Sequence, residues 1–149
     1  MKIRSVEPRD RQAWAAMRAE LWPNQDSDLL AHQTLLHFSG VKLAEAVFIS
    51  EDVDGSACGF LELSVRTSAE GCSASPVPFV EGWYVSPIAR HKGAGRALMS
   101  AAEHWAIMRN FTEIASNTQV EDAQSQGAHA ALGYEEVERV VTFRKSLRV

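Results

Sequence analysis

The segment richest in chemistry reads Val85-Ser86-Pro87-Ile88-Ala89-Arg90-His91-Lys92-Gly93-Ala94-Gly95-Arg96-Ala97-Leu98. An apolar stretch ends at Val85, and Pro87 stops regular pairing because it has no N–H. From Gly95 to about Asn110 a helical pattern follows, with Leu98, Met99, Ala102, Trp105 and Ala106 on one face. Glycine lets the backbone take a positive φ and approach a ligand without a Cβ. The first turn of a helix has N–H groups without intrahelical partners, and the helix dipole adds positive potential there. Arg90, His91, Lys92 and Arg96 add more. The amides and side chains of residues 90–96, including Gly93, Ala94 and Gly95, therefore suit a diphosphate. A Walker A loop needs Lys and then Ser or Thr after its last glycine, but Arg96-Ala97 stand there. A dinucleotide fingerprint needs a small residue at Leu98 and a place in a first βαβ unit, and neither holds.

The elements that must carry this loop follow from periodicity and punctuation. Lys2 to Val6 reads as a strand. Asp10 is a candidate N-cap for a helix with Trp14, Met17 and Leu21 on one face, ended by Pro23. Asp26-Ser27-Asp28 caps a second helix that runs to Gly40. Strands are expected at Ala44 to Ser50, Ala57 to Val65 and Phe79 to Val85, the first two joined through Asp54-Gly55. The Ser-, Ala-, Gly- and Pro-rich stretch Thr67 to Val77 reads as a loop. Glu113 to Ser116 reads as a short strand, Asp122 to Leu132 as a helix stopped by Gly133, and Glu136 to Arg144 as a last strand. The class is mixed α/β in one domain over residues 1–149.

Composition narrows the function. With 149 residues, 46% hydrophobic and 23% charged, the chain reads as an ordinary globular domain. A formal net charge of −4 disfavours nucleic acid and suits a cationic ligand. Cys58 and Cys72 lie outside any close Cys/His cluster, which argues against a metal site and a disulfide framework. No apolar run approaches the roughly 20 residues of a membrane span. The start, Met1-Lys2-Ile3-Arg4-Ser5, is too polar for a secretory signal, so the expected location is the cytoplasm.

The glycine loop Arg90-x-x-Gly93-x-Gly95 and the segment Ala131-Leu132-Gly133-Tyr134-Glu135 resemble two motifs of the GNAT N-acetyltransferase superfamily. A narrower resemblance is to bacterial aminoglycoside 6′-N-acetyltransferases. It rests on Leu21-Trp22-Pro23, Ser75-Pro76, Phe79-Val80-Glu81-Gly82, Ala115-Ser116, His129-x-x-Leu132-Gly133-Tyr134 and Glu136-x-Glu138-Arg139-Val140. The resemblance implies a GNAT fold, a central mixed sheet flanked by helices and splayed after the strand containing Glu81. It implies acetyl-CoA as acetyl donor without a metal, and the amine of a cationic aminoglycoside as acceptor. Backbone groups of Trp83, Tyr84 and Val85 would hold the pantetheine arm, and the amides from His91 to Arg96 the pyrophosphate. By the same analogy the chain is expected to be a homodimer.

The implied reaction is direct attack of a neutral amine on a thioester. It needs a carboxylate to attract the ammonium and relay its proton. It also needs an N–H for the developing oxyanion and a proton for the departing thiolate. Glu81 is the first candidate for the carboxylate. His129 stands where many family members carry a tyrosine thought to protonate the thiolate, and Ser125, one turn earlier, is a candidate cofactor contact. Trp22 is read as a pocket wall or a core residue, and Glu138 as a substrate carboxylate or a surface charge.

Three departures stand out. Asn117 replaces the aspartate of the usual Ala-Ser-Asp-Thr; it can bond an amine but accepts no proton at neutral pH. Asp122 replaces an asparagine that often contacts the cofactor. Residues Arg66 to Gly71 lack the tyrosine that lines the pocket in relatives. These leave open a GNAT enzyme for another amine, such as a polyamine, a protein lysine or an N-terminus, and a catalytically silent acyl-CoA sensor.

Overall fold

The computed structural model describes residues 1–148. Strands β1 (Lys2–Ser5), β2 (Ala46–Glu51), β3 (Ala57–Arg66), β4 (Val77–Val85) and β5 (Ala115–Ser116) form one sheet in the order β1-β2-β3-β4-β5. The first four are antiparallel and β5 joins β4 in parallel. Helices α1 (Arg11–Leu21), α2 (Ser27–His37), α3 (Ala94–Met108) and α4 (Ala123–Ala131) complete the elements. The chain divides into two compact units, residues 1–117 and the residues from Thr118 onward. The first holds the sheet with α1, α2 and α3; the second holds α4.

Alternation along β3 explains how the first unit is layered. Phe60 and Glu62 face α1: Phe60 packs edge-on to Trp22, and Glu62 accepts from Trp14 and Arg18. Gly59 lies on the other face, where a Cβ would come within 3.2 Å of Leu98 in α3. One core therefore joins Trp14, Met17, Val47, Ile49, Phe60 and Tyr84, while Leu98, Met99 and Ala102 of α3 are buried. Fully burying a side chain such as Leu or Phe contributes roughly 1.5–3 kcal/mol.

Most expected elements are present with shifted ends, and some readings need correction. Asp10 is not the side-chain cap of α1. Its carboxylate is bound by Arg4 and by the Glu7 amide across a 3₁₀ turn, Pro8–Asp10, that precedes the helix. α1 ends at Leu21, with Trp22 as its C-cap residue, ahead of Pro23. α3 starts at Ala94 rather than Gly95. The last strand is absent: the residues from Glu136 to Arg144 belong to no helix or strand, and Val137, Val140, Val141 and Phe143 are exposed. Alternation supplies a face for a strand, but a strand also needs a partner edge, and this segment has none among the described residues. No helix among the described residues is long and apolar enough to cross a membrane.

Candidate active site

The register of β3 against β4 sets the geometry. Leu63 pairs with Val80 and Glu62 with Gly82, so Glu81 is the extra residue of a β-bulge. The bulge puts consecutive residues 81 and 82 on the face of α1. Glu81 meets Ser64 and Arg66 of β3, and Gly82 meets Trp22. Beyond the bulge the phase is reset, so Tyr84 enters the core beside Phe60 at 6.0 Å and Trp83 turns to α3. Pairing between β4 and β5 is confined to Phe79–Ala115 and Val80–Ser116. From Glu81 onward β4 keeps β3 as its sheet neighbour, which is the expected parting of the strands.

Both oxygens of Glu81 are engaged. Arg66 donates from Nε to Oε2 at 2.9 Å and from Nη2 to Oε1 at 2.7 Å, and Ser64 Oγ donates to Oε2. Burial pushes the carboxyl up, but the hydrogen bonds from Arg66 and Ser64 and the charge of Arg66 outweigh it and hold it below the usual carboxylate range. Glu81 is thus an anion throughout the neutral range, better suited to binding a cation than to removing its proton unaided.

Behind it lies a second carboxylate. Glu62 Oε2 accepts from Trp14 Nε1 at 3.0 Å and from Arg18 Nε at 2.9 Å, and Arg18 Nη1 reaches the Leu30 carbonyl and Gln33 Oε1 of α2. Burial pushes the Glu62 carboxyl up, against the charge of Arg18 and the bonds from Trp14 and Arg18. The Arg18 guanidinium lies 5.0 Å from the Trp22 ring centroid. A Cβ at residue 82 would come within 2.9 Å of that ring, so only glycine fits there without a shift. Trp22 is half-buried and packs against Gly82 and Phe60, on the strand next to Glu81.

At the other end of β4 the glycine loop has the geometry its sequence implies. Gly93 is the N-cap of α3 with φ +90°, a conformation that L side chains rarely adopt. The first helical bond runs from the Ala97 amide to the Gly93 carbonyl, so the amides of Ala94, Gly95 and Arg96 precede the ladder. Trp83 Nε1 donates to the Gly95 carbonyl at 3.0 Å and Arg90 Nε to the Val85 carbonyl at 2.9 Å, tying the turn to the strand. The side chains of Arg90, His91, Lys92 and Arg96 are exposed. These donors and charges fit a pyrophosphate, and the β4 backbone from Trp83 to Val85 fits an extended amide-bearing arm.

The remaining candidates separate. Asn117 follows β5 and is exposed. In the second unit, Asp122 accepts from the Ser125 amide at 3.0 Å and so caps α4. His129 Nδ1 lies 2.7 Å from the Ser125 carbonyl and 3.4 Å from Ser125 Oγ, and its ring meets Tyr134 edge-on. A carbonyl only accepts, so Nδ1 donates to it. Glu138 lies in the C-terminal segment outside helix and strand and is exposed. No group of His, Cys, Asp and Glu that could hold a metal occurs among the described residues.

Sequence reasoning missed Ser64, Arg66, Arg18 and Glu62. A signal existed: Glu62, Ser64 and Arg66 fall at alternate positions of an otherwise apolar strand, a polar stripe on one face.

Known proteins share this sequence pattern and fold. The Acetyltransferase (GNAT) family model matches residues 11–134. An aminoglycoside N(6′)-acetyltransferase type 1 of Klebsiella aerogenes is 48% identical over 148 residues, covering 97% of this chain and 96% of the relative. The enzyme of that name from Stenotrophomonas maltophilia is 43% identical over 147 residues, covering 97% of this chain and 93% of the relative. Among solved structures, AAC(6′)-Iy in complex with the bisubstrate analogue CoA-S-monomethyl-acetylneamine superposes with a TM-score of 0.83 at 36% identity, covering 98% of each chain. The chain belongs to the GNAT acetyltransferase family, on the branch of the aminoglycoside N(6′)-acetyltransferases.

Proposed function

We propose that this protein acetylates the 6′-amino group of aminoglycosides with acetyl-CoA, by direct attack of the amine. The single observation that carries the acceptor side is Glu81, an anion on a bulge at the point where β4 leaves β5, one residue from the Trp22-covered Gly82. Acetyl-CoA supplies the activated thioester; every other role falls to this chain.

The amides from His91 to Arg96 hold the pyrophosphate, with Arg90, Lys92 and Arg96 around it, and the β4 backbone of Trp83, Tyr84 and Val85 holds the pantetheine arm. Glu81 draws the ammonium to the strand, and Trp22 offers a face for the sugar ring and its charge. Because Arg66 and Ser64 hold the Glu81 carboxyl below the usual range, it is a weak base, and the proton leaves the amine to solvent or through water next to the carboxylate. A main-chain N–H near Tyr84 or Val85 stabilises the negative charge that develops on the acetyl oxygen. Asn117 is assigned a hydrogen bond to the amine. In the second unit, His129 is assigned the proton given to the departing thiolate. Asp122 and Ser125 are assigned to the cofactor side and Glu138 to the substrate side. The protein is read as one functional domain of the cytoplasm and as a homodimer, a reading favoured by the exposed Val137, Val140, Val141 and Phe143 of the unpaired C-terminal segment. Light scattering after size exclusion tests the dimer.

The activity is tested by following thiol release from acetyl-CoA with a panel of amines. Release with kanamycin or tobramycin, and not with spermidine or peptides, is the expected result. Coenzyme binding without release for any amine would replace the enzyme by a sensor.

A further inference from the structure

We propose that Arg66 is an internal competitor for the acceptor amine, a cation that occupies Glu81 until the substrate's own ammonium displaces it. The proposal rests on the reading of Glu81 as the amine anchor. An ammonium approaching Glu81 finds both oxygens bonded by the guanidinium fork, with Nε on Oε2 and Nη2 on Oε1, and the charge already neutralised. A bidentate pair of this kind is the strongest arrangement open to an arginine and a carboxylate.

Three features make the pair exchangeable rather than structural. The Arg66 side chain is 44% exposed and Glu81 32%, so either partner can return to water. Arg66 is the last residue of β3, followed by residues outside helix and strand from 67 to 76, and it pairs only with Val77 of β4. The guanidinium also lies 3.5 Å from the centroid of the Phe79 ring, a seat it can keep when its hydrogen bonds to Glu81 are given up. Ser64 meanwhile holds the carboxylate from β3, so Glu81 stays in place when Arg66 leaves. Replacing one cation by another at a part-exposed carboxylate changes the energy little. The substrate must win through its other contacts. Arg66 therefore screens acceptors: a polycation with several anchoring points displaces it, and a lone amine competes poorly.

The test compares wild type, Arg66→Gln, Arg66→Lys and Glu81→Gln in steady-state kinetics with tobramycin and acetyl-CoA at fixed ionic strength. Arg66→Gln is expected to lower the tobramycin KM at least about threefold, a gain of roughly 0.6 kcal/mol, with the acetyl-CoA KM unchanged. Arg66→Lys, whose point charge cannot span both oxygens, should fall between. A tobramycin KM that stays the same or rises in Arg66→Gln overturns the competitor and makes Arg66 a residue that positions Glu81. A wild type that acetylates no aminoglycoside, or a Glu81→Gln enzyme with unchanged kcat/KM, removes the anchor itself and the competitor with it. Thermal melts check that each variant is folded.

Discussion

Two arginine–glutamate pairs lie almost side by side in this protein and serve opposite ends. Glu62 sits across from Gly82, next to Glu81, and each carboxylate is held by an arginine. In the pair Arg18–Glu62 the side chains are 5% and 3% exposed; in Arg66–Glu81 they are 44% and 32%. Depth decides what each pair can do. A charge at the first site has no water to return to, so its partner cannot be exchanged, and α1, α2 and β3 are locked together through it. At the second site either group can be resolvated, and the pair can open. The buried pair acts as a fastening beneath Trp22, while the open pair governs access to the carboxylate above it.

The largest effect should come from breaking the fastening. Arg18→Leu leaves Glu62 buried without its cation and is expected to cost about 3–5 kcal/mol in denaturant unfolding. Adding Glu62→Leu to that change should recover most of the loss. A single variant as stable as wild type would erase the contrast between the sites. Glu81→Gln should leave stability nearly unchanged and lower kcat/KM for an aminoglycoside at least about tenfold, or roughly 1.4 kcal/mol. An unchanged value would remove Glu81 from the reaction. Between the pairs lies Gly82, where a Cβ would press on the Trp22 ring at 2.9 Å. Gly82→Ala should cost on the order of 1 kcal/mol of stability and raise the KM for the aminoglycoside, not for acetyl-CoA. An equal change in both constants would point to a general distortion.

The smallest expected effect is in acid. The folded-state pKa of Glu81 is depressed, so its stabilisation is present above the ordinary value of about 4.3 and is lost as pH falls through the lower folded value. Glu62 runs the other way: burial raises its folded value, so acid relieves a penalty instead of removing a gain. Glu81→Gln should therefore flatten the loss of stability between about pH 5 and pH 3, by less than ~1 kcal/mol at this part-exposed site. A variant that loses stability in step with wild type would show that Glu81 contributes nothing to the fold.

The sequence made the glycine turn before α3 more legible than the surroundings of Glu81. Residues 90–96 announce themselves because glycines, basic side chains and a helix start are contiguous, and a helix N-terminus needs no distant partner to bind an anion. The order of elements was legible for the same reason, through local periodicity and through Asp26 and Gly133 at helix ends. Glu81 was placed by resemblance, but its environment was hidden. Arg66 lies fifteen residues away on a neighbouring strand, and nothing local says that a bulge will bring them together. Arg18 and Glu62 were hidden likewise, since each alone reads as a surface charge. The last strand was misread because alternation describes one side of a bond between two edges. Asp10 holds the N-cap position of α1 that its type suggested, but Arg4 and the Glu7 amide claim its carboxylate.

The bulge at Glu81 also fixes parity along β4. Upstream, odd-numbered residues look toward α1; downstream, even-numbered ones do. The same residues paired in an unbroken ladder would set Trp83 opposite Phe60 and Tyr84 opposite Gly59, sending the indole into the core and the phenol toward α3, whereas loss of Glu81 itself would remove the bulge and keep both where they are. The faces shown by Trp83 and Tyr84 thus depend on the two-against-one pairing at residues 81 and 82, and variants that diversify the surroundings of Glu81 should preserve that bulge.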